Sequence, residues 1–115
     1  MSLELENRFY KFSEGCRDFC KVVKWDTINT EYIRQLIRSS GSVSANFIEA
    51  SDDLGKADEK MKLKVARRET KESILWLRLM LIYDNEQLEV TRKLLLDEAE
   101  QIRKILSAII NKLGG

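Results

Sequence analysis

Histidine and proline are both absent from these 115 residues, and glycine occurs only 5 times. Without histidine there can be no Ser-His-Asp or Cys-His catalytic system, and most zinc and haem sites lose their usual ligand. Without proline, and with so little glycine, nothing in the composition forces a long helix to break. The two cysteines, Cys16 and Cys20, stand one helical turn apart and lack the paired spacing of a zinc or disulfide framework. No apolar run approaches the roughly 18–20 residues needed to cross a bilayer. The opening Met1-Ser2-Leu3-Glu4 has neither the basic segment nor the apolar run of a secretory signal. A cytoplasmic location with no membrane association is the default expectation.

Charge of one sign is also missing. The chain carries 20 basic and 19 acidic side chains, a net of +1, far from the balance of a dedicated nucleic-acid binder. The distribution is uneven, however. Residues 1–53 sum to −2, residues 54–83 to +4 and residues 84–115 to −1, so the positive charge gathers in one stretch. Charged residues at 34% beside hydrophobic ones at 43% suit helices with one wet and one dry face. The length suits a single domain over residues 1–115 with one core.

Apolar periodicity places four helices. Leu5, Phe9, Phe12, Cys16, Phe19, Cys20 and Val23 form a stripe about 100° wide, which breaks at Trp25-Asp26-Thr27-Ile28-Asn29. Asn29 or Thr30 is the expected cap of the second helix. That helix presents Tyr32, Ile33, Leu36, Ile37, Ser40, Val43, Ser44, Phe47 and Ile48 and ends near Asp52-Asp53-Leu54-Gly55. Its small residues, Ser39-Ser40-Gly41-Ser42 and Ser44-Ala45, predict a close approach of a neighbouring backbone. The third helix is expected from an Asp58 cap to about Tyr83, with Met61, Val65, Ala66, Ser73, Trp76, Leu77, Met80 and Tyr83 on its apolar side. After Asp84-Asn85 the fourth carries Leu88, Leu95, Ala99, Ile102, Leu106, Ile109, Ile110 and Leu113. Short connections between long helices dictate antiparallel neighbours, so the predicted fold is all-α, an up-down-up-down four-helix bundle. Helix four adds Val90, Leu94, Ile105 and Ala108 on a flank, an apolar surplus that fits either an interface or a broad contact inside the bundle.

Two segments carry a family resemblance. The run Gln35-Leu36-Ile37-Arg38-Ser39-Ser40-Gly41-Ser42-Val43-Ser44-Ala45-Asn46-Phe47-Ile48-Glu49-Ala50 resembles the "Q-L-R-R-S-x-x-S-I-x-A-N-I-A-E" helix of a bacterial family. The run Val65-Ala66-Arg67-Arg68-Glu69-Thr70-Lys71-Glu72-Ser73-Ile74-Leu75-Trp76-Leu77 is similar to its "I-A-x-K-E-x-x-E-T-x-Y-W-L" segment. The family is that of four-helix bundles encoded in intervening sequences of 23S ribosomal RNA genes, related to the accessory variability protein of diversity-generating retroelements. The resemblance implies a ring-like homopentamer, no enzymatic activity, and, in the retroelement branch, binding of nucleic acid and a reverse transcriptase through a basic surface. The chain departs from the pattern in placing Glu59 and Lys60 where the family has an aromatic after the Asp that opens helix three. Its near-neutral charge also differs from the strongly basic retroelement branch.

Three groups of residues could carry chemistry or binding. Lys56, Lys60, Lys64, Arg67, Lys71 and Arg78 fall within about 40° on either side of one direction on helix three, a row that could track phosphates or simply face water. Repeated copies in a ring would raise avidity. Glu69 projects from the apolar side of the same helix, where a lone carboxylate is costly to bury. Arg38 and Asn46 are its candidate partners in a structural polar network. Glu69, Glu72 and Glu49 could instead form an all-carboxylate magnesium site in a nucleotide hydrolase; di-iron chemistry, with its Glu-x-x-His pairs, is out of reach. Cys16, Cys20, the serines from Ser39 to Ser44, Phe47, Trp76 and Tyr83 read as packing residues.

The sequence therefore predicts a non-enzymatic, oligomeric scaffold with no cofactor or metal, binding RNA or DNA through helix three. A protein–protein adaptor is the alternative, and a magnesium-dependent hydrolase a remote one.

Overall fold

The computed structural model describes residues 2–114, which form four helices: α1 (Leu3–Val22), α2 (Thr27–Ala50), α3 (Lys56–Leu79) and α4 (Glu86–Lys112). Each packs against its neighbours in the order α1–α2–α3–α4 and back to α1, with no close backbone approach between diagonal helices among the described residues, which is the antiparallel up-down-up-down bundle. The contact of α2 with α3 is the most extensive and that of α1 with α4 the least. The bundle measures 47 × 22 × 21 Å.

Side-chain caps start three of the helices by accepting otherwise unpaired first-turn N–H groups. Ser2 Oγ accepts from Leu5 N at 3.1 Å, Asp26 Oδ1 from Asn29 N at 2.8 Å, and Asn85 Oδ1 from Leu88 N at 3.0 Å. Two expected boundaries are corrected. Asp26, not Asn29 or Thr30, caps α2. The third helix opens at Lys56 behind Gly55, whose φ of 107° favours glycine and whose missing side chain provides no cap. Asp58 falls in the first turn with Glu59, where carboxylates meet the positive end of the helix.

The far end of α3 is also shorter than periodicity predicts. It stops at Leu79 because the next residues are held in tertiary bonds that compete with helix continuation. Met80 is extended, its carbonyl accepting from Arg92 Nη1 at 2.9 Å, and Leu81 is bonded on both sides to the Asn29 side chain. Tyr83 then takes a left-handed φ of 59°.

The core runs the length of the bundle. Phe9, Phe12, Phe19 and Phe47 are fully buried, with the rings of Phe9 and Phe47 edge to face at a centroid distance of 4.5 Å. Ile33, Leu36, Leu63, Leu77, Met80, Ile102, Leu106 and Ile110 are buried with them; Leu63 falls outside the apolar set expected for helix three. Ile37, Ile48, Met61 and Tyr83, expected inside, are all exposed. The serines of α2 do allow close approach. Ser13 Oγ lies 2.6 Å from both the Ser40 carbonyl and Ser44 Oγ, and Ser39 Oγ lies 2.8 Å from Ser73 Oγ. Gly41 has no such role, since a Cβ there would meet nothing within 4 Å. The closer approach is at Gly15, where a Cβ would lie 3.0 Å from Leu95 Cδ2 across the α1–α4 seam and the leucine would have to give way. On α4, Ile105 packs against the core while Val90 and Leu94 stay exposed at 52% and 68%. No helix of the described residues is long and apolar enough to cross a membrane.

Candidate nucleic-acid interface on the third helix

Burial of Leu63, Ala66, Thr70, Ser73 and Leu77 turns the opposite arc of α3 outward. That arc carries the six basic residues singled out above. Lys56, Lys64, Lys71 and Arg78 are exposed, while Lys60 and Arg67 are partly covered. Arg67 Nη1 donates to Ser107 Oγ at 3.2 Å, which props the guanidinium against α4, and Lys60 Nζ donates to the Gly114 carbonyl at 3.4 Å. Among the described residues none of the six forms a salt bridge, although eight other basic residues do. None of the six is therefore paired with a carboxylate at contact distance among the described residues.

The surface here is concave. Lys56, Lys60, Met61 and Lys64 line one shallow depression, and Lys64, Arg67, Arg68, Lys71, Glu72 and Leu75 line the next. Lys64 borders both, so the two adjoin end to end along the helix and together make up a shallow trough. Arg68 is the residue that sequence reasoning missed. It stands one turn beyond Lys64 and about 40° outside the edge of the narrow stripe on a helical wheel, and only the shape of the trough brings it in. Arg68 Nη2 is 3.9 Å from Glu69 Oε1, a long contact for an exposed guanidinium.

The polar network is partly rearranged from the expected one. Glu69 is buried, with its side chain 7% exposed. Arg38 Nη1 reaches across from α2 to 3.3 Å from Glu69 Oε2, and its Nη2 donates to Glu72 Oε1 at 3.1 Å. Glu69 Oε2 meets no donor in hydrogen-bonding geometry, so its compensation is ionic alone. Asn46 does not join this group: its Nδ2 donates to the carbonyl and Oγ of Ser42, both at 2.9 Å, one turn back on its own helix. Glu49 is taken by Lys62 Nζ at 2.9 Å. The three carboxylates considered for magnesium are thus divided between two different cations. Among the described residues no three His, Cys, Asp or Glu side chains come together as metal ligands would.

The remaining reactive side chains are quiet. Cys16 and Cys20 are buried, and burial pushes both thiols up, Cys20 to about 12. The Trp76 ring stacks on Tyr32 at 6.1 Å, turned inward from the basic arc, with its Nε1 unpaired. A separate groove, apolar in its lining, lies between α1 and α4, where Val22, Leu88, Leu94 and Leu95 surround Gly15.

No curated protein and no solved structure matches the chain significantly. The profile of one family, described as 23S rRNA-intervening sequence protein, matches residues 2–108. That span takes in all of α1 to α3 and most of α4, including both segments that first suggested the relationship, and the chain belongs to this family.

Proposed function

We propose that the chain is a non-enzymatic, cytoplasmic helical scaffold that assembles as a homo-oligomer and binds RNA or DNA through the outer face of α3. The observation that carries this reading is the row of Lys56, Lys60, Lys64, Arg67, Lys71 and Arg78, none in a salt bridge among the described residues, the first five of them lining the trough. Phosphate contacts supply most of the affinity in sequence-independent binding, and they need such uncompensated charge. A homopentamer, the assembly implied by the family resemblance, would present the trough several times and raise avidity. The test is a mobility-shift titration of RNA and DNA at low salt with the native chain and a K60E/K64E/K71E variant. Retardation that fades with salt and is abolished in the variant supports the proposal; no retardation at high protein concentration overturns it.

A second reading, a protein–protein adaptor, has its own support in the apolar groove between α1 and α4 and the exposed Val22 and Leu94 beside it. Capture of a protein partner that resists salt, and is lost in L94E, would favour it.

A further inference from the structure

We infer that the trough on α3 takes a single strand of nucleic acid along its backbone, in preference to a duplex and without regard to base sequence. This rests on the nucleic-acid reading proposed above and specifies the form of its ligand. Spacing is the first argument. Lys56, Lys60 and Lys64 follow one another at four-residue steps, a rise of about 6 Å each, close to the length of one nucleotide of extended strand. Arg68 continues that ridge, and Arg67 and Lys71 begin a second one beside it. From Lys56 to Arg78 the cations cover about 33 Å of a straight helix. An extended strand can stay beside a straight row over that distance, whereas a strand within a duplex winds away from it.

Access is the second argument. A helix that reads duplex DNA enters the major groove, which is about 12 Å wide. Here α3 is clasped on both sides by α2 and α4, and only its outer arc is free. Neighbouring helix axes about 8–10 Å apart make the bundle too broad to follow α3 into a groove. The still narrower major groove of duplex RNA is closed to it as well. A duplex could meet the trough only at its phosphate rims.

The lining is the third argument. Its apolar members are Ala57, Met61 and Leu75, all exposed, and it contains no aromatic ring on which bases could stack. The carboxylate at its margin, Glu72, is held by Arg38. Cations without stacking platforms or base-reading amides recognise phosphate and are indifferent to sequence.

The experiment measures fluorescence anisotropy of the native chain against labelled oligo-uridine and oligo-thymidine of about 15 nucleotides, and against the duplexes these form with their complements. Single strands of either sugar are expected to bind about tenfold or more tighter than the duplexes. For contact with about five phosphates the slope of log K against log salt should be near −3.5. K64A and K71A should each lower its magnitude by about 0.7, the single-strand increment for one phosphate. Duplexes binding as tightly as single strands would overturn this inference and leave the nucleic-acid reading standing. Failure of every oligonucleotide to bind would overturn both.

Discussion

Asn29 and Leu81 exchange two hydrogen bonds across the end of the bundle. The Asn29 amide donates to the Leu81 carbonyl and its oxygen accepts from the Leu81 N–H, both at 2.9 Å. Its Nδ2 also donates to the Lys24 carbonyl at 2.9 Å, so one fully buried side chain ties the α1–α2 turn to the α3–α4 turn. Replacement by Ala or Leu orphans three backbone groups. Leu81 is partly exposed, so water recovers some of the loss, and N29A is expected to cost about 2 kcal/mol. Urea unfolding at constant m-value checks this; an unchanged midpoint would show that the turns are held together by other means.

The same end of the bundle should make stability depend on pH at both extremes. The Tyr83 hydroxyl donates to Asp26 Oδ2, and this bond, with the Asn29 N–H, holds the Asp26 carboxyl below its ordinary 3.8. The contribution of Asp26 is therefore complete above about pH 4 and lost as pH falls through the lowered value. The same bond raises the Tyr83 phenol above its ordinary 10.0, so its contribution is complete below pH 10 and lost as pH rises through the raised value. Y83F should remove the alkaline loss and lessen the acid one. Thermal midpoints across the pH range would reveal this, and a variant with an unaltered profile would contradict it.

Two glycines inside helices should respond differently to Ala. Gly41 has open space where a Cβ would stand, so G41A should gain about 0.5–1 kcal/mol from helix propensity. At Gly15 the same gain is set against a Cβ 3.0 Å from Leu95 Cδ2, and G15A should come out near neutral or destabilised. Thermal unfolding of the two variants side by side makes the comparison; equal gains would mean that the α1–α4 seam is looser than this geometry.

Arg38 compensates a carboxylate that is almost wholly buried. R38M leaves Glu69 with only the long 3.9 Å contact to Arg68 and should cost about 2–3 kcal/mol, below the usual figure for a fully buried pair because Arg38 is half in water. R38M/E69L, which removes both charges, should recover most of that loss. A double-mutant cycle with no coupling would show that Arg38 acts through Glu72 or through packing alone.

The buried thiols offer a probe of opening. Cys16 and Cys20 should react with a thiol reagent only as fast as α1 opens from the bundle, and rapidly once denaturant is added. Prompt labelling of the native chain would contradict the packing of α1.

What could be read from the sequence was whatever depends on a repeat within one helix. The stripe from Phe9 to Phe19, the inner face of α4 and the cationic row on α3 all follow from periodicity, and the two motifs sufficed to point to the family. What could not be read depends on partners distant in sequence. Asn29 looked like a cap because its use by Leu81 lies 52 residues away, and α3 looked longer because Arg92 and Asn29 hold Met80 and Leu81 out of helix. Asn46 looked available to Glu69, yet Ser42 on its own helix is nearer. Arg68 entered the trough only through the curvature of the surface.

The weak contact of α1 with α4 has a consequence for motion. Its main polar clamp is the pair of 2.8 Å bonds from Arg8 to Glu98, and Gly15 contributes no side chain to the seam. Amide protons of α1 should therefore exchange with solvent before those of α2 and α3, as the first cooperative unit to open. The cations of α3 sit in the slowest-opening half of the molecule, so the charged surface would persist through fluctuations that expose the other side.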